Sequence, residues 1–236
     1  MIKKILAVVL AAVLVVLCFA ACGKKPKQED LYGYDKPVAY NENGYAVYND
    51  KGLVRIYETD DKGNIVYDDD GNPQYNYYDV GGGFVHDGMI DTKDYAFKMP
   101  SGWDVDENSV FTKRGTDGKC TVSVMFTSET SADYTFNDFV DQNIASNQEF
   151  VNQLKENGQD ANMETELFSL SQTESPAYAA TYIFKDADGK VIHYAVSVYY
   201  LYNAQIYLIN YICTDGVGYD ESFDFLSYVK ENFVTK

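Results

Sequence analysis

Basic residues are scarce in this sequence. Its 236 residues include 19 Lys and Arg against 36 Asp and Glu, a formal net charge of −17. Nucleic-acid binding needs clustered Lys and Arg to neutralise phosphates, so this balance argues against it. It argues equally against a domain lying flat on anionic lipid, and favours solubility on a crowded surface. Histidine is scarcer still, with His86 and His193 far apart in the chain. No His-Glu-x-x-His and no Gly-x-Ser-x-Gly occurs, so the motifs of zinc-dependent hydrolysis and of serine-type acyl transfer are missing. Tryptophan occurs once, at Trp103. The acid-rich stretches all coincide with turn signals. No catalytic constellation emerges, and the expectation is a protein that is not an enzyme, with no cofactor and no metal.

Long apolar runs are absent except at the start. Ile5 to Ala21 carries no charge and follows Lys3 and Lys4. A basic start, an apolar run and small residues before a cut site make an export signal. The run is marginal for a spanning helix, which needs about 20 apolar residues; an uncleaved anchor is the alternative reading. Ala20-Ala21-Cys22-Gly23 resembles the lipobox of bacterial lipoproteins, although Phe19 stands where that motif prefers Leu. The resemblance implies cleavage after residue 21 and a diacylglyceryl group on Cys22. Cys18 follows bulky Val16 and Leu17 and fits less well. Residues 22–31, with three lysines and a proline, read as a solvated tether. The expected address is the extracytoplasmic face of a cell membrane, of Gram-positive type, reached through the lipid. The processed chain would hold 17 basic and 36 acidic residues, a net −19.

Two cysteines then remain, Cys120 and Cys213, both in strand-like runs. The reading taken is two buried thiols; a bridge, which export permits, would require those strands to be adjacent.

Residues 32–90 form the first region. Ten of the 22 tyrosines lie between Tyr32 and Tyr78, among the turn signals "NENG", "NDKG", "DDKGN" and "DDDGN". Short alternating runs between such turns predict a β-meander. The run loosely resembles the Tyr- and Asp-Gly-rich repeats of bacterial surface proteins. Asp68, Asp70 and Asn72 have the early spacing of a calcium loop, but Pro73 stands where glycine belongs. In "DADG", glycine comes two places too early. Both read as turns. A thin meander cannot bury ten tyrosines, so Tyr48, Tyr57 and Tyr67 are candidate partner contacts, although cross-strand packing accounts for many of the ten and is the favoured reading. "VGGGFVHDG" at 80–88 reads as a flexible joint.

Residues 91–236 carry the sharper pattern. "YAFKMP" places Tyr95, Phe97 and Met99 on one face, before a turn ending in Trp103. Trp103 either caps the core beside Pro100, the favoured reading, or serves as a contact platform. "VFTKRG" and "KCTVSVMFTS" follow as strands. Thr135 with Asp138 makes a capping box for a helix whose apolar residues run from Phe136 to Leu154, ended by Gly158. Strands "ELFSLSQ", "AYAATYIFKD" and "KVIHYAVSVYYLYNAQIYLINYICT" come next, the last turning back at Asn203-Ala204. A final helix is expected over Asp220 to Phe233. The last strands are apolar or aromatic on both faces, which predicts an α+β fold with a mostly antiparallel sheet covered by helices on both sides.

"YAFKMPSGW", the paired strands, the long helix, "SPAYAATYIF", "QIYLINYIC" and the terminal helix together resemble the PsbP-like family. The resemblance covers roughly residues 91 to 236 and implies a three-layer sandwich with an adaptor-like character. The expected function is a non-catalytic binding or scaffold module with an extracytoplasmic protein partner. The alternative is an extracytoplasmic solute-binding protein or an enzyme acting on cell-wall carbohydrate.

Overall fold

The computed structural model describes residues 37–80, 84–105, 111–114, 119–170, 174–214 and 218–236. Cys22, the export signal and the tether lie outside them. Two compact units meet in sequence between Phe84 and Val85.

In the first unit, β1 (Val54–Tyr57) pairs antiparallel with β2 (Tyr75–Tyr78). The rest is built from single bridges between turns, as the meander reading predicts. Asn41, Asn49, Asp60 and Asp68 each accept the backbone N–H groups two and four residues on. Each turn closes on a glycine at positive φ, Gly44, Gly52, Gly63 and Gly71. The carboxylate of Asp68 is thus spent on its own turn, as a turn reading requires. A small core of Ala46, Val54, Ile56 and Val80 supports the unit, with Val38, Tyr48 and Tyr78 packed on it.

The boundary between the two units falls within β3 (Phe84–His86), and β4 (Met89–Asp91) follows in the second unit. That boundary lies inside residues 80–88, the stretch read as a joint. From Phe84 the chain is a hairpin, because Asp87 and Gly88 both take positive φ, at 49° and 70°. Asp-Gly is the two-residue hairpin turn itself; residues 81–83 lie outside the described ones. β5 (Tyr95–Lys98) pairs with β4, and β13 (Phe233–Thr235) pairs with β5. These make a four-stranded sheet in the order β13-β5-β4-β3.

The larger sheet has seven strands. They are β6 (Asp104–Val105), β7 (Phe111–Arg114), β8 (Lys119–Glu129), β9 (Asp160–Leu170), β10 (Ser175–Lys185), β11 (Val191–Tyr202) and β12 (Gln205–Thr214). Their order is β6-β7-β8-β12-β11-β10-β9, with antiparallel neighbours throughout. After β8, helix α1 (Phe136–Glu156) carries the chain to the far edge, and a meander returns it beside β8. The expected capping box is present: Thr135 N donates to Asp138 Oδ2 at 2.8 Å and Asp138 N to Thr135 Oγ1 at 3.2 Å. The expected fold-back is present too, with Asn203 and Ala204 both at positive φ between β11 and β12.

This return places β12 on β8 with Cys213 directly opposite Cys120. The two form a disulfide across a Cα–Cα distance of 4.3 Å. The reading of two buried thiols is therefore wrong. What it lacked was the β8–β12 adjacency, which no local pattern reveals.

Two elements depart from their predicted bounds. β9 begins at Asp160, six residues ahead of "ELFSLSQ", because Ala161 and Met163 pack at strand period on α1 while polar residues between them face out. The last helix, α2 (Phe225–Asn232), is shorter than Asp220–Phe233. Asp220 accepts from Ser222 in a turn of its own, and Asp224 is the N-cap, accepting from Ser227 N at 3.0 Å. Phe233 already has extended backbone and opens β13.

The sheet's core residues divide by strand parity. Ala177, Ala179, Val196, Val198, Tyr200, Ile209 and Tyr211 share a cluster with Phe97 and Phe233 and with Phe225 and Val229 of α2. Tyr178, Ala180 and Ile206 share another with Phe136, Phe139 and Val140 of α1. Tyr200 and Ile206 are buried, and Tyr199 and Leu208 half-buried.

The hydroxyls of Tyr178 and Tyr200 are buried with no hydrogen-bond partner among the described residues. Burial pushes the Tyr178 hydroxyl up to about 12, and raises Tyr200 as well. An unpaired buried hydroxyl opposes folding, so Tyr178→Phe and Tyr200→Phe are each expected to raise unfolding free energy by about 1 kcal/mol. Urea denaturation checks this; a lower midpoint in both variants would mean that each hydroxyl has a partner.

Candidate interaction surface

The first unit repeats itself every nineteen residues. Gly44 and Gly63, Val47 and Val66, Tyr48 and Tyr67, and Gly52 and Gly71 are identical pairs at that spacing. The backbone repeats with them. Ala39 N donates to Arg55 O at 3.0 Å, Arg55 N to Val47 O at 2.8 Å, and Val47 N to Ala39 O at 2.9 Å, closing a ring of three. Nineteen residues on, Glu58 N donates to Gln74 O, Gln74 N to Val66 O, and Val66 N to Glu58 O, at 2.9, 2.8 and 2.9 Å. The sequence reading saw the turns but not this period, although the paired glycines and tyrosines carry it.

Tyrosines stand on this scaffold at different depths. Tyr67 is 56% exposed, Tyr40 44% and Tyr75 43%. Of the predicted contacts, Tyr67 is thus open to solvent. Tyr57 is half-buried and lies opposite Tyr75. Tyr48 is half-buried on the small core. Tyr40 and Tyr75 were not singled out from the sequence. Arg55 lies 4.3 Å over the Tyr75 ring centroid and donates through Nη2 to Tyr77 Oη at 3.1 Å. That hydrogen bond holds the guanidinium above its usual range. Arg55 thus holds Tyr77 through the hydrogen bond and Tyr75 through its ring face; tyrosines make contacts with little loss of side-chain freedom.

Trp103, in the second unit, is half-buried and packs on the main core, 6.0 Å from the Tyr211 ring. This is the core-capping position.

The two histidines occupy different settings. His193 stacks on Phe184 at 5.1 Å. His86 Nε2 lies 3.1 Å from Asp91 Oδ2. Asp91 is fully buried and also pairs with Lys236, which donates to Thr92 O at 2.8 Å. Burial lowers the Lys236 ammonium from its ordinary value, and the Asp91 carboxylate opposes that shift. One carboxylate thereby joins the β3–β4 hairpin to the last residue of the chain. Among the described residues, no group of three His, Cys, Asp or Glu is placed to hold a metal ion. No described helix is long and apolar enough to cross a membrane.

No family model matches the chain, and no curated protein matches its sequence. The chain is similar in structure to cyanobacterial PsbP from Synechocystis sp. PCC 6803, with a TM-score of 0.38 and 16% identity over 84% of this chain and 98% of that one. It is also similar to a Pseudomonas aeruginosa protein of unknown function, PA94, with a TM-score of 0.33 and 11% identity over 50% of this chain and 76% of that one.

Proposed function

We propose that this chain is a non-catalytic binding or scaffold module, held by a diacylglyceryl group on Cys22 to the extracytoplasmic face of a cell membrane of Gram-positive type. Its partner is an extracytoplasmic protein. Its second unit is read as a three-layer PsbP-like sandwich, with α1 over one face of the large sheet and α2 over the other. The parity of the two core clusters supports that layering. The Cys120–Cys213 disulfide fits an oxidising compartment. The observation that carries the binding role is the solvent-open set Tyr40, Tyr67 and Tyr75, 44%, 56% and 43% exposed on a scaffold of turns. Singly exposed aromatics are ordinary; three on one small unit favour an interface.

The test has two arms. Mass spectrometry of the membrane fraction is expected to show a diacylglyceryl-modified Cys22, and Cys22→Ala is expected to leave the protein unmodified and in the soluble fraction. A photo-cross-linker at Tyr67 is expected to capture one protein on intact cells, and the combined Tyr40→Ser and Tyr75→Ser variant to lose it. An unmodified Cys22 in the wild type would overturn the anchor. Capture of no protein, or capture indifferent to the two tyrosines, would overturn the interface.

A further inference from the structure

A sheet edge presents unpaired N–H and C=O groups, and proteins usually blunt it with short strands, lysine, proline or bulges. Three edges in the second unit obey this: β6 has 2 residues, β3 has 3 and β13 has 3. β9 does not. It has 11 residues, pairs with β10 along its whole length without a register shift, and carries neither Lys nor Pro. In an antiparallel pair alternate residues turn their backbone groups away from the partner. Among the described residues β9 is the edge of its sheet, so half of its backbone groups face away from β10.

Its side chains sort by face. Glu164 and Glu166 share strand parity with Phe168 and Leu170, which pack in the cluster that holds α2. Both carboxylates are exposed, as is Asp160, and Lys230 of α2 meets Glu166 at 2.6 Å. The opposite face begins with Ala161 and Met163 under α1. Beyond them Thr165, Leu167 and Ser169 are exposed, Leu167 at 68%.

The geometry points to β9 as a docking strand for an extended, basic segment of a partner protein, one that alternates Lys or Arg with apolar residues. Such a segment would add an eighth strand to the sheet. Its cations would lie beside Asp160, Glu164 and Glu166, and its apolar side chains beside Leu167. Charge decides the occupant. A second copy of this chain paired edge to edge would set these carboxylates against themselves, and like charges across a strand pair destabilise it. A basic strand meets the opposite condition, and main-chain bonds supply the affinity in such additions. This goes beyond the tyrosine surface proposed above, since it names a separate site and the chemistry of its occupant.

The experiment uses the intact protein and the peptide acetyl-Thr-Lys-Val-Lys-Leu-Lys-Val-Thr-amide, with a counterpart bearing Glu at each Lys. Amide hydrogen exchange of β9 is read by NMR. The lysine peptide is expected to slow exchange at alternate β9 residues by about tenfold, and to do so less at high salt. The glutamate peptide is expected to leave β9 unchanged. Leu167→Lys places the usual blunting residue on an exposed position, so it is expected to abolish the effect with an unchanged melting temperature. Equal slowing by both peptides would overturn the proposal. So would protection of β9 that grows with protein concentration alone, or peptide-induced shifts confined to residues other than β9. Loss of the Tyr67 cross-link with β9 protection intact counts against the tyrosine interface alone, and the reverse counts against this docking strand alone.

Discussion

Reduction of the Cys120–Cys213 bridge is expected to lower unfolding free energy by about 4.6 kcal/mol, the loop-closure value for its span. The two cysteines are 93 residues apart, so the bridge closes a loop containing α1 and three strands of the meander. Both sulfurs are fully buried in the main core. Reduction keeps them there, so the change isolates chain connectivity from packing. One local contact offsets part of the loss: Cys120 Sγ lies 3.1 Å from the carbonyl oxygen of Gly218, an acceptor for the thiol that reduction creates. The Cys120→Ala and Cys213→Ala double variant loses that contact and the sulfur packing as well, and is expected to fall further. Stabilities of domains this size run to about 5–15 kcal/mol. A loss of this magnitude makes the fold marginal in a reducing compartment, which ties the bridge to the proposed extracytoplasmic address. Urea denaturation with and without a phosphine reductant measures it. An unmoved midpoint, with reduction verified by thiol titration, would show that the loop is ordered before folding.

Signals carried by neighbouring residues were legible in the sequence. The capping box at Thr135 and Asp138, the apolar stripe of α1, the turn at Asn203-Ala204 and the Asx turns at Asn41 to Asp68 each involve residues within a few positions of one another. Their hydrogen bonds form within the segment itself. What was missed depends on the sheet order. The disulfide required β8 beside β12, strands separated by the whole meander. The first half of β9 carries no strand signal because its residues are mostly polar and exposed, and only Ala161 and Met163 of it meet the core. Asp220 has the residue type of a cap, but the side chain that caps α2 is Asp224; four residues of the predicted helix are a turn. The nineteen-residue period was present in the sequence and needed only comparison of one turn with the next. The candidate tyrosines were legible as a group and not singly. Tyr48 and Tyr67 hold equivalent places in the repeat, yet the first packs on the small core and the second is open.

Phe225→Ala is expected to cost about 4 kcal/mol, within the range for a buried aromatic truncated to a methyl group. Phe225 is fully buried in the main core. Its ring stacks on Tyr211 at 4.6 Å and meets Phe97 edge-on at 6.4 Å. Those two residues belong to different sheets, so one side chain fills space that both share with α2. The helix has 8 residues, too few to persist without packing. Of these, Phe225 and Val229 are buried. The remaining ties of α2 include a 3.1 Å hydrogen bond from Tyr228 Oη to Lys98 O and the exposed Lys230–Glu166 pair, and surface pairs contribute little. Truncation therefore removes ring packing and loosens the element as well. Phe225→Leu keeps most of the volume and is expected to cost about 1 kcal/mol. Leu167→Ala removes a side chain of similar character from a site 68% exposed, and is expected to change stability by less than about 0.5 kcal/mol. Urea midpoints of the three variants rank them. If Phe225→Ala and Leu167→Ala fell together, burial of Phe225 between the two sheets would be wrong, and with it the position of α2 on which the layered reading depends.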